Sequence, residues 1–426
     1  MKMQEKATNG IRLLMGVDSI SQVQASWRFF NNPKVTSKEL FKPIEITLKS
    51  EILNQCDKYV LAMSDWSHLD YKKHSSKSEL KSENRKDNCM KIGYDLQTTI
   101  AVSDRTGEPI APMVHNLKTS DNVYSTYNDN IDMKLTHLEE LGKRAEHINT
   151  AFKSDNKQIV HIVDRESDSI AFMRDLQENN ILFVLRGKGN SKVQFYDKDL
   201  DKNIDIKQAE LANRLPLGKQ VKQIKYKKKM VTIYANECDV AITRDATKMV
   251  LQDNGKRKLI RTQGEPVKAR FIVERLVNEN NEVVATWLLL SNVYDTTVTP
   301  ATIATWYYYR WKIESYFKLL KSSGFNLEEW QQKDPEALFK RLLVVSQSCM
   351  FVWKIANDNS TNALKIREIL IDLSGKQIER GVDFTYPALL KGLENYLITI
   401  DMLTQFSVDD IFKMKDEISE IMGFEI

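Results

Sequence analysis

From about residue 182 to 292 the chain changes texture, and no single-class fold accommodates both textures. Segments such as LFVLRG, QIKYKKKMVTIYA, ARFIVERLV and VVATWLLLS are rich in alternating and β-branched residues and are separated by Gly, Asn and Asp. They predict consecutive strands over about a hundred residues, the size of a small domain. Before them the pattern is mixed. YVLAM at 59–63 and IVHIV at 159–163 are apolar runs of buried-strand length, ending at Ser64-Asp65 and at Asp164. Strand-like segments at 92–102 and 110–115 flank the turn signal Arg105-Thr106-Gly107, helical spacing covers 130–152, and the polar stretch 71–89 reads as a solvated loop. Residues 1–55 read as helical, with a capping signal at Thr36 and Ser37 before Glu39 and a turn at Pro33. From 299 onward the chain is helical again, with breaks at Pro335 and at 357–361. The expected fold class is therefore α/β, a mixed sheet interrupted by an all-β insertion and flanked by helical N-terminal and C-terminal regions.

Charge and cysteine content narrow the function classes. With 62 Lys+Arg against 58 Asp+Glu, the net charge of +4 excludes a tail-driven polycation but leaves room for a local basic groove. No apolar run approaches the ~20 residues that span a bilayer, and the N-terminus shows no signal-peptide core. Cys56, Cys89, Cys238 and Cys349 are far apart, so a reducing, cytoplasmic setting is expected rather than a disulfide or Cys-zinc framework. Any chemistry leans on carboxylates.

The richest stretch is TWYYYRWKIESYFKLLK, residues 305–321. On a continuous helix, Tyr307, Arg310, Glu314 and Lys321 fall within an arc of about 60°. A solvated face with an i,i+4 Arg310–Glu314 pair is the plainer interpretation. The crowd of aromatics around it (Trp306, Tyr308, Tyr309, Trp311, Tyr316 and Phe317) instead predicts a groove. A carboxylate among cations and a phenol suits a phosphodiester, with Mg²⁺ held by oxygen ligands. Further carboxylates are then required. Asp65 and Asp164 sit at the ends of short apolar strands, where α/β sites form, although Asp57, Asp70 and Asp168 are equally eligible on composition and each lone Asp reads more simply as a cap.

The spacing Tyr307-x2-Arg310-x3-Glu314-x6-Lys321 resembles the Y-R-E-K signature of the IS-four family of bacterial DDE transposases, the group of the Tn-five type. Asp164-Arg165-Glu166-Ser167-Asp168 resembles that family's Asp-Arg-Glu-Ala-Asp box, Asp65-Trp66-Ser67 stands where the family has Asp-Thr-Thr, and Trp27-Arg28-Phe29-Phe30-Asn31-Asn32 resembles its N-terminal aromatic-Arg-Phe motif. The resemblance implies an RNase H-like catalytic core over 56–184 and 293–345, a β-strand insertion over 185–292, a shortened N-terminal DNA-binding region over 1–55 and a C-terminal helical region over 346–426 that serves dimerisation. It implies that Asp65, Asp164 and Glu314 are catalytic and hold two Mg²⁺ ions, with Mn²⁺ able to substitute. Tyr307, Arg310, Lys321, Arg186, Lys188 and Trp287 are implied to contact DNA, Trp287 by stacking on an extruded base.

The implied partners are double-stranded transposon ends and target DNA, bound by a homodimer in a synaptic complex near the bacterial nucleoid. The implied reaction is cut-and-paste transposition through a DNA hairpin. A silent DNA-binding remnant and a simple nuclease are the alternatives. Lysines 219, 222, 225, 227, 228 and 229, then Lys256, Arg257 and Lys258, make the insertion locally basic, which fits either DNA contact or a protected edge strand. Leu389, Leu390, Leu393, Leu397 and Ile400 at helical spacing are expected in a core or an interface.

Overall fold

A computed structural model describes residues 20–84, 90–154, 156–227, 229–251 and 257–425. Cys89, Lys228 and Lys256 lie outside the described residues. The first strands are β1 (Tyr59–Asp70), β2 (Lys81–Asn84), β3 (Met90–Ser103), β4 (Pro109–Lys118), β5 (Val123–Ser125), β6 (Gln158–Val163) and β7 (Leu182–Arg186). They are followed by β8 (Lys192–Asp197), β9 (Lys202–Lys207), β10 (Lys219–Tyr226), β11 (Lys229–Ile242), β12 (Ala246–Leu251), β13 (Arg257–Thr262), β14 (Val267–Val277) and β15 (Val283–Ser291). The helices up to the last strand are α1 (Ile20–Phe30), α2 (Ser37–Gln55), α3 (His137–Ala151), α4 (Ile170–Glu178) and α5 (Gln208–Arg214). Beyond it lie α6 (Pro300–Tyr308), α7 (Trp311–Lys318), α8 (Pro335–Asn357), α9 (Thr361–Ser374), α10 (Tyr386–Gln405) and α11 (Val408–Met422).

The chain divides into two compact units, Ser37–Phe317 and the described residues up to Thr36 together with those from Lys318 on. The first holds one large, mostly antiparallel sheet in the order β5-β4-β3-β1-β6-β7-β15-β14-β11-β8-β9, with β10 on β11 and β2 on β3. Strands β4, β3 and β1 run antiparallel, while β1, β6 and β7 run parallel, an arrangement compatible with an RNase H-like core. The insertion does not stand apart from this sheet. Its last strand, β15, pairs with β7 through Leu289–Arg186 and Ser291–Val184, so both textures share one ladder.

Two faces are set by strand alternation. Phe271, Val273, Leu288 and Leu290 point to one side and join Phe172, Met173 and Leu176 of α4 in a buried core. Each such side chain contributes about 1.5–3 kcal/mol by leaving water. The cross-strand pair Glu274–Trp287 points to the opposite side. Helix α2 covers β4 with Phe41, Ile44, Leu48 and Ile52, a helical stripe that is fully buried.

Several local expectations change. The insertion is not purely strands, because QAELANR, a run of good helix formers, makes α5. Residues 81–84, expected in a loop, form β2 by pairing with β3, which requires backbone groups rather than apolar periodicity. β1 does not end at Asp65. Its pairing with β6 stops at Ser64, whereas its pairing with β3 continues to Asp70, so Asp65 sits mid-strand beside a released edge. In the second unit, α8 is buried along most of its length and starts at Asp334, whose carboxylate accepts from Glu336 and Ala337 N–H. Leu389 and Leu390 are buried, while Ile400 is exposed.

Candidate active site

The helical stretch 305–321 is not continuous. Between α6 and α7 the chain tightens: Arg310 N–H donates to Tyr307 O at 3.0 Å and Ile313 N–H to Arg310 O at 3.2 Å, both three residues back. α7 is anchored on both sides of Glu314. Lys312 Nζ reaches Glu108 Oε2 at 2.6 Å, and Tyr316 packs against buried His115 at 3.2 Å between its hydroxyl and Nε2. The turn before β4 accommodates this helix only through Gly107, whose φ is +72° and whose Cβ, if present, would meet the Tyr309 ring at 2.2 Å.

Arg310 is the meeting point. Its side chain is nearly fully buried, with Nη1 at 3.2 Å from Asp65 Oδ2 and Nη2 at 2.7 Å from Glu314 Oε1. Asp164 follows β6 at the start of a 3₁₀ turn, Arg165–Ser167, and lies in the same group. Its Oδ1 accepts from the Tyr307 hydroxyl at 3.1 Å and from Arg186 Nη1, at the end of β7, at 3.4 Å. Three carboxylates therefore face two guanidiniums. Burial, reinforced by Asp164 and Glu314, pushes the Asp65 carboxyl up to about 6, against the pull of the Trp66 N–H and Arg310. Asp164 goes the other way. Burial would raise it, but Arg310, the Arg165 N–H, Arg186 and Tyr307 together hold it below the usual carboxylate range. Two aspartates whose affinities for a proton are pushed apart are the mark of a worked site.

Of the other aspartates eligible on composition, Asp57 pairs at the surface with Arg105 at 3.5 Å, and Asp70 accepts from Lys72 N–H at 2.9 Å. Asp168 is buried and holds the start of the insertion, accepting from Lys188 N–H at 2.6 Å, from Gln208 at 3.3 Å and from Arg244. Lys188 thus meets Asp168 through its backbone. Lys321 lies in the other compact unit, on the π-helical turn Leu319–Ser323, and pairs with an acid. Its partner is Glu328 at 3.0 Å, seven residues on rather than four, because the turn folds the chain back. Trp287 is 5% exposed, with Tyr226 and Tyr307 edge-on at 6.3 and 5.8 Å. Beside it Glu274 is wholly buried, both carboxylate oxygens lack a hydrogen bond, and burial raises its pKa well above the ordinary value although Lys222 and Arg186 pull it down. Of the basic residues in the insertion, Lys222 lies over the Tyr308 and Tyr309 rings at 4.3 and 4.7 Å, while Lys219, Lys225, Lys227 and Lys229 are exposed.

A family model, described as transposase DDE domain, matches residues 64–350, two thirds of the chain, a span that contains Asp65, Asp164 and Glu314. The chain belongs to the DDE transposases. No curated protein matches it. As a transposase it is a nuclease-type enzyme that acts on DNA, and the family generally uses a divalent metal. Among the described residues no three His, Cys, Asp or Glu side chains stand together as a ready metal site, and Arg310 bridges Asp65 and Glu314. The donor chemistry still fits. All donors are hard carboxylate oxygens, one of them is proton-accepting near neutrality, and a single cation now bridges two of them. Among the described residues, no helix is long and apolar enough to cross a membrane.

Two features lay beyond sequence reasoning. Glu274 carries no signal, since one Glu in a strand looks solvent-facing. Trp66 and Glu166 each lie in a segment singled out in the sequence, but nothing there joined them to each other or to His137.

Proposed function

We propose that this transposase, of the IS-four, Tn-five-like type, cuts a mobile DNA element from its flanks and joins it to a new site. The observation that carries the reading is the convergence of Asp65, Asp164 and Glu314, from three separated parts of the chain, around Arg310. Residues 56–184 and 293–345 act as an RNase H-like core, 185–292 as its insertion, and 1–55 and 346–426 as regions for end binding and for dimerisation in a synaptic complex near the bacterial nucleoid.

Asp65, Asp164 and Glu314 would hold two Mg²⁺ ions, with Mn²⁺ able to substitute. When bound, such ions lower the pKa of an attacking water or 3′-hydroxyl and offset charge on the leaving oxygen. The chain's own residues do the rest. Arg310 turns from Asp65 and Glu314 to the scissile phosphate, so the guanidinium that pairs with two carboxylates becomes an anion ligand. Tyr307 leaves Asp164 and donates to a phosphate oxygen, and Arg186 moves with it. Lys188 and Lys321 each add a phosphate contact. Trp287 takes an extruded base during hairpin closure, once Tyr226 and Tyr307 part.

The test is Asp65→Asn, Asp164→Asn and Glu314→Gln on a duplex carrying any terminal inverted repeat found in the DNA that flanks the gene. Each variant is expected to bind the duplex and to lose Mg²⁺-dependent nicking by at least about a thousand-fold, because the ligands act as one unit. Cleavage by Glu314→Gln together with inactive Glu328→Gln would overturn the assignment. The Arg310 bridge favours one second reading, a silent DNA-binding remnant locked by that ion pair. It predicts no Mn²⁺ binding by the parent chain at any pH.

A further inference from the structure

Trp66 follows Asp65 directly, and its backbone N–H donates to Asp65 Oδ1 at 2.8 Å. It lies where β1 has lost β6 but still pairs with β3, opposite Gln97. Its indole leaves β1 on the face opposite the Asp65 carboxylate, 37% exposed at the rim where Glu166 stands two residues after Asp164, and it is not free to turn. Indole Nε1–H points to Glu166 Oε2 at 3.3 Å, and the other oxygen of Glu166 takes His137 Nε2 at 2.9 Å. His137 Nδ1 meets the Gln97 amide nitrogen at 2.9 Å, which makes Nδ1 the acceptor and Nε2 the N–H donor. His137 is itself fixed as the first residue of α3, whose start is closed by a reciprocal Thr136–Glu139 cap at 3.3 and 2.9 Å.

Three polar side chains from three elements thus hold one exposed ring in a set orientation. The His137 ring stands tilted at 6.0 Å and the Lys91 ammonium at 5.8 Å from the ring centroid. An indole tied down by its polar edge presents a π-face. Beside a site for a phosphodiester, the group that matches a π-face and a nearby ammonium is the base of a nucleotide.

We propose that Trp66 is a stacking platform for the nucleobase adjoining the scissile phosphate, and that Glu166 and His137 are positioning residues for it. The proposal rests on the reading of Asp65, Asp164 and Glu314 as the centre that cuts DNA. It assigns a sequence-tolerant contact, since every base has a π-face, so the platform sets where the strand lies rather than which base is there.

The experiment places 2-aminopurine, one position at a time, at nucleotides flanking the cut in the terminal-repeat duplex. Fluorescence and affinity are read in EDTA, where no strand is cut. The parent is expected to quench one position, next to the scissile bond. Trp66→Ala should abolish that quench and weaken binding roughly ten-fold, while Trp66→Phe keeps most of both. Glu166→Ala should blur the quench at an unchanged melting temperature, and Glu166→Gln, whose single amide oxygen accepts from the indole or from His137 but not from both, should restore it only in part. Parent-like quenching and affinity in Trp66→Ala, with cleavage still blocked by Asp65→Asn, overturns the platform and leaves the centre standing. If Asp65→Asn cuts like the parent, the reading of the centre falls and the platform with it.

Discussion

The Asp65 carboxyl, raised by burial to about 6, titrates where its unfolded counterpart, near about 4, is already ionised. Between those values the folded chain binds the extra proton, so stability falls as pH rises through the window. Below about pH 4 both states are protonated and nothing is lost; above about 6 the whole penalty is present. Asp65→Asn is therefore expected to be more stable than the parent at pH 7.5, by at most about 3 kcal/mol, with the gap closing at pH 4. Denaturant unfolding at both pH values measures it. A parent more stable than Asp65→Asn at pH 7.5 would mean that the Arg310 pair outweighs burial. The same carboxyl makes Mn²⁺ affinity rise from pH 5 to 7, with proton release. Apolar runs ending in Asp and the fixed spacing of 307–321 made Asp65, Asp164 and Glu314 candidates, because those are local signals, but they did not set these apart from Asp57, Asp70 and Asp168. That Arg310 would bind Asp65, or that Glu166 would grip Trp66, was not legible, since those partners are 245 and 100 residues apart.

At the scale of elements, the ladder between β14 and β15 puts Trp287 directly across from buried Glu274, whose carboxyl burial pushes up. Trp287 reaches a DNA base only if Tyr226 or Tyr307 moves off its edges. Trp287→Ala is expected to slow hairpin closure while sparing first-strand nicking, and an abasic nucleotide at the extruded position should partly restore the rate. Loss of nicking and of thermal stability together, without abasic rescue, identifies Trp287 as core. The break between α6 and α7 shows why spacing alone misjudged this region. A uniform turn of about 100° per residue placed Lys321 on the face of Glu314, whereas one tightened turn and one π-helical turn interrupt that phase. The strands of the insertion were readable from alternation. That they extend the sheet carrying Asp65 was not, because pairing between β7 and β15 leaves no mark on either strand alone.

For the molecule as a whole, the C-terminal helix α11 buries no residue of its own, and Val408, Phe412, Ile418, Ile421 and Met422 are exposed along it. A second copy of the chain is the partner expected there. Phe412→Asp combined with Ile418→Asp should leave the melting temperature of the monomer unchanged and prevent dimer formation on terminal-repeat duplex, as read by sedimentation. Dimers that persist in the double variant would place the interface elsewhere.

Arg310 and Asp65 lie 245 residues apart in sequence, with the insertion between them. While the protein is being made, the ribosome therefore exposes Asp65, then Asp164, then the long run of strands, before Glu314 emerges. Non-local ladders close slowly. A nascent chain, or any product that stops before residue 314, holds at most two of the three carboxylates. If those three form the cutting centre, as proposed, the order of the gene delays its assembly until the rest of the sheet has been synthesised.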